Sequence, residues 1–319
     1  MHYETKHKNQ RFTQYDNDYL CIVPYNFNII INNRMKRKAF LLLSIVSFII
    51  FADTCVTAQN NSVQKQTEVS AQALAPETDN RVFYNAFSHN DYWRPRPLLD
   101  ALSYRFNCVE ADLWLIDGKL YVAHDRTEIE KDNTFEEMYL KPLVERIKKN
   151  GGKVYKNSDR PFFLMVDCKT SGEEMYPVLK KVLEPYKDLF CSVNDGEYKE
   201  GAILFFLSGD RPLETLPKET SRFVFLDGRI KDLDKGISHE LMPVISDNYA
   251  NSFSWKGNGN MPEEELKKMR EIINQTHKEG KLFRWWGAPQ TKTSRQLLLK
   301  EGVDLIGTDD LEQLYDVLK

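Results

Sequence analysis

The chain has 319 residues, an ordinary size for one α/β barrel, and its 41% hydrophobic and 29% charged residues are those of a soluble globular protein. A net charge of −3 leaves no basic excess that would point to nucleic acid or an anionic membrane surface. Five cysteines are too few for a disulfide scaffold, so the core has to come from apolar burial.

The N-terminal segments read as processing signals rather than fold. Arg34 to Lys38 is a basic cluster, Ala39 to Ala52 is almost wholly apolar, and Val56-Thr57-Ala58 supplies small residues for cleavage. This predicts a signal peptide over 35–58, and with it an exported protein, periplasmic or secreted. The apolar run is short for a membrane span, and Ala52-Asp53-Thr54 is a poor context for lipidation of Cys55. Met35 is the expected start, which leaves 1–34 as an extension without a role. Residues 59–80, rich in Gln, Ser, Thr, Asn and Glu, read as a solvated linker. The folded domain is expected over 81–319. Of its cysteines, Cys108 and Cys168 fall in apolar strands and read as buried small hydrophobes.

From Val82 onward, short apolar runs alternate with amphipathic segments. Strands are expected at Val82–Phe87, Cys108–Leu115, Phe162–Val166, Ile203–Leu207, Phe223–Leu226, Met242–Ile245, Leu282–Trp286 and Asp304–Gly307. An Asp117-Gly118 turn and Lys119–Ala123 add a hairpin to the second. Helices are expected at Leu98–Tyr104, Thr134–Lys149, Glu173–Tyr186, Glu263–Glu279 and Ser294–Lys300, while the stretch from Leu207 to Phe223 is short for one. Eight strands in repeated βαβ order predict an α/β fold of the (β/α)₈ TIM-barrel type in a single domain. No G-x-G-x-x-G follows the first strand, which argues against a dinucleotide site.

Active sites of such barrels lie at the C-terminal ends of the strands. Strand 1 ends in Ser88-His89-Asn90-Asp91, and strand 2 carries Glu110-Ala111-Asp112 with His124-Asp125 at the end of its hairpin. Strand 3 ends in Asp167-Cys168-Lys169, and strand 7 contains Arg284-Trp285-Trp286. Glu110 and Asp112 are two apart and share a strand face, where like charges in an apolar run repel and resist desolvation. A divalent cation relieves both problems, and oxygen-only ligands suit Mg²⁺ or Ca²⁺, with Asp167 as the third carboxylate. Taken alone, Glu110 and Asp112 equally describe a salt-bridged pair at a barrel rim. Lys169 is placed to neutralise a phosphate oxygen. His239 and His277 lie away from strand ends and read as surface residues.

The stretch from Phe87 to Asp125 resembles the phospholipase C-like phosphodiesterase superfamily, in particular its glycerophosphodiester phosphodiesterases. There a first-strand histidine precedes an E-x-D strand and a hairpin ending in H-D. Gly302 to Asp309 is similar to that family's last strand. The resemblance implies a metal-dependent phosphodiesterase with His89 and His124 as acid–base pair and Glu110, Asp112 and Asp167 on the metal. Two departures stand out. The usual H-R-G reads His89-Asn90-Asp91, which removes an arginine, for which Arg284, Arg94 or Arg96 are replacements. The usual E-x-K reads Asp167-Cys168-Lys169-Thr170, a form similar to the sphingomyelinase D branch. The H-N-D-Y start and Arg284 to Pro289 look closest to the altered inheritance of mitochondria protein 6 branch.

The substrate contacts expected are therefore Asn90, Asp91, Lys169, Arg284 and Trp286, the last stacking on an alcohol group or packing as a core aromatic. The substrate expected is a small-molecule or lipid-derived phosphodiester, with no nucleic-acid partner. Asn248 to Asn260 reads as a loop facing the same mouth. Alternatives left open are a lyase forming a cyclic phosphate and a non-catalytic phospho-ligand-binding barrel.

Overall fold

The computed structural model describes residues 80–319; the extension, the signal peptide and all of the linker but Asn80 lie outside the described residues. Eight parallel strands close into a barrel. They are β1 (Phe83–Ser88), β2 (Phe106–Ile116), β4 (Phe162–Cys168), β7 (Ile203–Gly209), β9 (Phe225–Gly228), β10 (Val244–Asn248), β11 (Leu282–Trp286) and β12 (Leu305–Thr308). The sheet runs β1-β12-β11-β10-β9-β7-β4-β2, and pairing of β1 with β2 closes it. The remaining strands are accessory. β3 (Lys119–Val122) folds back antiparallel on β2 through Asp117 and Gly118, both at positive φ as a tight hairpin turn requires. β5 (Ser192–Asn194), β6 (Glu197–Lys199) and β8 (Ser221–Arg222) form a separate antiparallel sheet that the periodicity did not announce.

Six α-helices are described: α1 (Leu99–Ser103), α2 (Lys141–Lys149), α3 (Gly172–Leu183), α4 (Glu263–Lys278), α5 (Lys292–Lys300) and α6 (Leu311–Leu318). A π-turn over Glu136–Leu140 leads into α2. Side-chain caps start three of them: Ser171 on α3, Thr291 on α5 and Asp310 on α6 each accept a backbone N–H of the first turn. No α-helix joins β7 to β9 or β9 to β10; short 3₁₀ turns do so instead, as the short Leu207–Phe223 spacing foreshadows. Among the described residues no helix is long and apolar enough to cross a membrane.

Period-two alternation divides each strand between two cores. Leu164, Phe205, Leu226 and Ile245 face the helices. Phe87, Cys108, Met165, Phe206, Phe225, Val244 and Leu305 fill the barrel interior. Followed toward the C-terminal ends, this second face changes character. Cys108 is succeeded by Glu110 and Asp112, Met165 by Asp167, Phe206 by Ser208, Phe225 by Asp227 and Val244 by Ser246. The apolar plug supports a polar ring. The three cysteines among the described residues, Cys108, Cys168 and Cys191, are buried and form no disulfide with one another, and burial pushes their thiols up, so they act as small hydrophobes.

Candidate functional site

The polar ring opens into a cleft of about 300 Å³ lined by His89, Asn90, Glu110, Asp112, His124, Asp167, Lys169, Ser208, Gly209, Arg229, Arg284 and Trp286. The barrel register sets much of this. Asp112 lies opposite Asp167, Asp167 opposite Ser208, and Ser246 opposite Arg284. The extended β2–β3 hairpin carries His124 to the same rim.

Each histidine is fixed through Nδ1. His89 Nδ1 lies 2.7 Å from Asp309 Oδ1, and its Nε2 lies 3.6 Å from Glu110 Oε2. Gln290 donates to the other oxygen of Asp309 at 2.6 Å. His124 Nδ1 lies 3.1 Å from Asp112 Oδ2, and its ring packs against Trp93. Both imidazoles thus keep Nε2 for other partners. Burial alone would lower the pKa of His89, but the Asp309 hydrogen bond and the Glu110 charge outweigh it and raise it. The same bond from His89 holds the Asp309 carboxyl at about 2.

Three carboxylates sit between the histidines. Glu110 is buried and accepts the Asn90 backbone N–H at 3.1 Å. Burial pushes its pKa up; Arg284 and His89 pull against that, while Asp112 and Asp167 add to it. Asp112 Oδ2 takes the Tyr92 hydroxyl at 2.7 Å and the Lys169 amine at 2.8 Å as well as His124. Lys169 also reaches Asp167 Oδ2 at 2.8 Å. Burial lowers the Lys169 pKa, and the two carboxylates more than reverse this, so the amine is firmly charged. Gly209 makes room for Asp167: it sits at φ +67, and a Cβ there would stand 2.8 Å from Asp167 Oδ1.

As an all-oxygen set, Glu110, Asp112 and Asp167 suit a hard dication, and among the described residues the second oxygen of each carboxylate has no donor. As the side chains stand, however, no three His, Cys, Asp or Glu among the described residues form a ready-made cage. The Lys169 ammonium bridges Asp112 Oδ2 and Asp167 Oδ2 and leaves the other oxygen of each open to a cation, so the lysine is held by the carboxylates rather than free for phosphate.

Arg284 is the cation left over. It is 3% exposed, its guanidinium lies 4.1 Å over the Phe87 ring, and Nη1 reaches the Met165 sulfur at 3.6 Å. Its Nε is buried without a partner, and no carboxylate lies within ion-pair distance among the described residues. Arg229 is a second basic residue on the cleft. Asp227, wholly buried, holds it at 2.7 Å, and Ser208 and Ser246 donate to the same carboxylate oxygen.

Several expectations are corrected. Asp91 is no substrate contact. It is wholly buried, and its carboxylate accepts Ser88 Oγ at 2.7 Å, the Leu98 N–H at 2.5 Å and the Tyr139 hydroxyl at 3.0 Å. It ties down the turn after β1, where Asn90 (φ 47) and Leu98 (φ 63) both lie in the positive region. Asn90 does line the cleft, but its side chain is engaged by Tyr92 and faces His89. Arg94 binds the carbonyls of His89, Thr308 and Asp309, and Arg96 pairs with Asp100, so neither replaces the missing arginine. Trp286 is half-exposed on the cleft rather than in the core. No residue of the Asn248 to Asn260 loop lines the cleft; Trp255 in it is buried, and Thr291 at the start of α5 bonds the Gly257 carbonyl. His239 is exposed, and His277 pairs with Asp304 at 2.7 Å away from the cleft.

Tyr92, Asp309 and Arg229 were not singled out from the sequence. Asp309 had a usable signal, a carboxylate at the end of the last strand. Tyr92 and Arg229 depend on turns that carry no periodic signature.

With this geometry in view, comparison with known proteins is informative. Residues 78–227 match the AIM6-like phosphodiesterase domain. Over that stretch the chain is similar to this family. It is 27% identical over 253 residues to an altered inheritance of mitochondria protein 6 homolog of Arthroderma benhamiae, covering 70% of this chain and 80% of that protein. Altered inheritance of mitochondria protein 6 of Saccharomyces cerevisiae is 29% identical over 272 residues, covering 70% and 68%. Among solved structures, a glycerophosphodiester phosphodiesterase from Parabacteroides distasonis aligns with a TM-score of 0.45 and 14% identity, over 73% of this chain and 96% of that one. The resemblance to this branch read from the sequence is matched by the family model and by both relatives.

Proposed function

We propose that the chain is an exported, metal-dependent phosphodiesterase that hydrolyses a small or lipid-derived phosphodiester with His89 and His124 as proton carriers. The observation that carries this reading is Arg284. A buried arginine with no carboxylate within ion-pair distance, offset only at longer range by Glu110, has donors left for an anion in the cleft. A phosphodiester supplies that anion.

On this reading Arg284 binds the non-bridging oxygens and stabilises charge that grows on them. Glu110, Asp112 and Asp167 hold Mg²⁺ or Ca²⁺, which supplies Lewis-acid stabilisation of the phosphoryl oxygens when bound. Lys169 then shares those carboxylates and limits their mutual repulsion. Asp309 and Asp112 orient the two histidines, so that each presents Nε2 to the substrate. One takes the proton of the attacking oxygen and the other returns one to the leaving alkoxide. Tyr92 bridges Asn90, Asp112 and His124 and keeps the second histidine in register.

The test is hydrolysis of a panel of glycerophosphodiesters by the mature domain, with and without chelator, followed by phosphorus NMR of the products. A phosphomonoester formed only with divalent ion supports the proposal. A cyclic phosphate assigns the site to a lyase, and no turnover with Mg²⁺, Ca²⁺ or Mn²⁺ assigns it to a binding barrel.

A further inference from the structure

A second, smaller cavity of about 110 Å³ adjoins the cleft and shares His89, Arg284 and Trp286 with it. It runs back between β11, β12 and α5, and its wall is mixed: Ala288, Pro289, Leu298, Val303 and Ile306 on the apolar side, His89, Arg284, Gln290 and Asp309 on the polar side. Its lining also includes Arg295, which is 2% exposed. This guanidinium has no carboxylate within ion-pair distance among the described residues. Nη2 donates to Thr308 Oγ1 at 2.8 Å and Gln290 Oε1 at 3.2 Å, while Nε is buried with no partner at all. Two acids lie nearby without contacting it: Asp310, which caps α6, and Asp309, which lines the cavity but is already paired with His89 and Gln290.

A buried cation with no carboxylate in contact is expensive, and two neutral acceptors with two acids at longer range offset only part of that cost. An occupant that restores the balance is anionic, and the space suits a group the size of a phosphate or carboxylate. The cavity opens at His89 and Arg284, so such a group lies one short linker away from a phosphodiester bound in the cleft.

We propose that this cavity is a second anion subsite in which Arg295 and Arg284 seat a terminal phosphate or carboxylate on one arm of the phosphodiester substrate. This rests on the phosphodiesterase reading and narrows it to substrates with a doubly anionic character. Neutral-armed diesters fill the cleft and leave Arg295 without a counter-ion.

The test compares ethyl 4-nitrophenyl phosphate with its 2-phosphonoethyl and 2-carboxyethyl counterparts, for wild type, Arg295→Gln and Arg295→Lys. The expected result is a KM at least tenfold lower for an anionic arm in the wild type, with kcat much less affected. Which of the two anionic arms gains more tells phosphate from carboxylate. Arg295→Gln loses at least tenfold more on the anionic-armed esters than on the ethyl ester, and Arg295→Lys recovers part of that difference. Equal KM for all three esters in the wild type overturns the proposal without any variant. So does an Arg295→Gln protein that melts normally and loses the same factor on every ester. No turnover of any ester refutes the phosphodiesterase reading instead. In that case inorganic phosphate decides the subsite, through quenching of Trp285 and Trp286: a tenfold weaker response in Arg295→Gln supports it, and an unchanged one overturns it.

Discussion

Asp91 offers a quantitative test of how the barrel mouth is held. Burial raises its carboxyl from 3.8 to about 6, and the hydrogen bonds from Ser88, Leu98 and Tyr139 recover only part of that. The folded state therefore binds this proton more tightly than the unfolded state. Stability from this group is complete below about pH 4, falls as pH rises to about 6, and is flat above. At 1.36 kcal/mol per unit, the loss is about 3 kcal/mol. Asp91→Asn removes the titration and keeps the geometry, because its carbonyl can accept from Leu98 and Tyr139 while its amide donates to Ser88. Urea unfolding from pH 4 to 8 should show the difference between Asp91→Asn and wild type growing by about 3 kcal/mol in favour of the variant. Asp91→Ala orphans the buried Leu98 N–H and Tyr139 hydroxyl and should sit about 2–4 kcal/mol below Asp91→Asn throughout. A pH-independent difference between Asp91→Asn and wild type, or an Asp91→Ala protein as stable as Asp91→Asn, would refute this reasoning.

Three further outcomes can be measured. Arg284→Met should lower kcat/KM on a phosphodiester by about 100- to 1000-fold, and because it removes the cation that offsets buried Glu110, it should raise the pKa of Glu110 further, as carboxyl NMR would show. Asp309→Ala should cut kcat by at least about tenfold with a smaller change in KM, since it frees the ring of His89 without touching the cleft's cations. Gly209→Ala should lose about 1–3 kcal/mol in denaturant unfolding and depress activity further than that loss explains, because the positive φ and the contact with Asp167 act together.

The architecture was legible because each barrel strand carries a short apolar run, and strand 7 over Leu282–Trp286 coincides with β11. Boundaries slipped where polar residues belong to the strand itself. β9 extends to Gly228 and β10 to Asn248, since Asp227 and Ser246 point into the barrel and read as turn residues in a hydropathy pattern. Cleft residues on strands or strand ends, His89, Glu110, Asp112, Asp167, Arg284 and Trp286, were visible for the same reason. Asp91 was misread because adjacency to His89 says nothing about direction. The left-handed turn at Asn90 sends it inward to Tyr139, a partner 48 residues away. Asp309 could have been found as a carboxylate at the end of the last strand, but its pairing with His89, like that of Arg229 with Ser208, spans a sequence distance that no local pattern encodes.

The central claim is that one mouth performs acid–base chemistry on a phosphodiester. The most direct measurement is turnover of bis(4-nitrophenyl) phosphate by wild type, His89→Ala and His124→Ala at equal metal concentration, with circular dichroism to confirm the fold. The account predicts that each variant keeps its fold and loses about 100-fold or more in kcat. Wild-type turnover in both variants would contradict it.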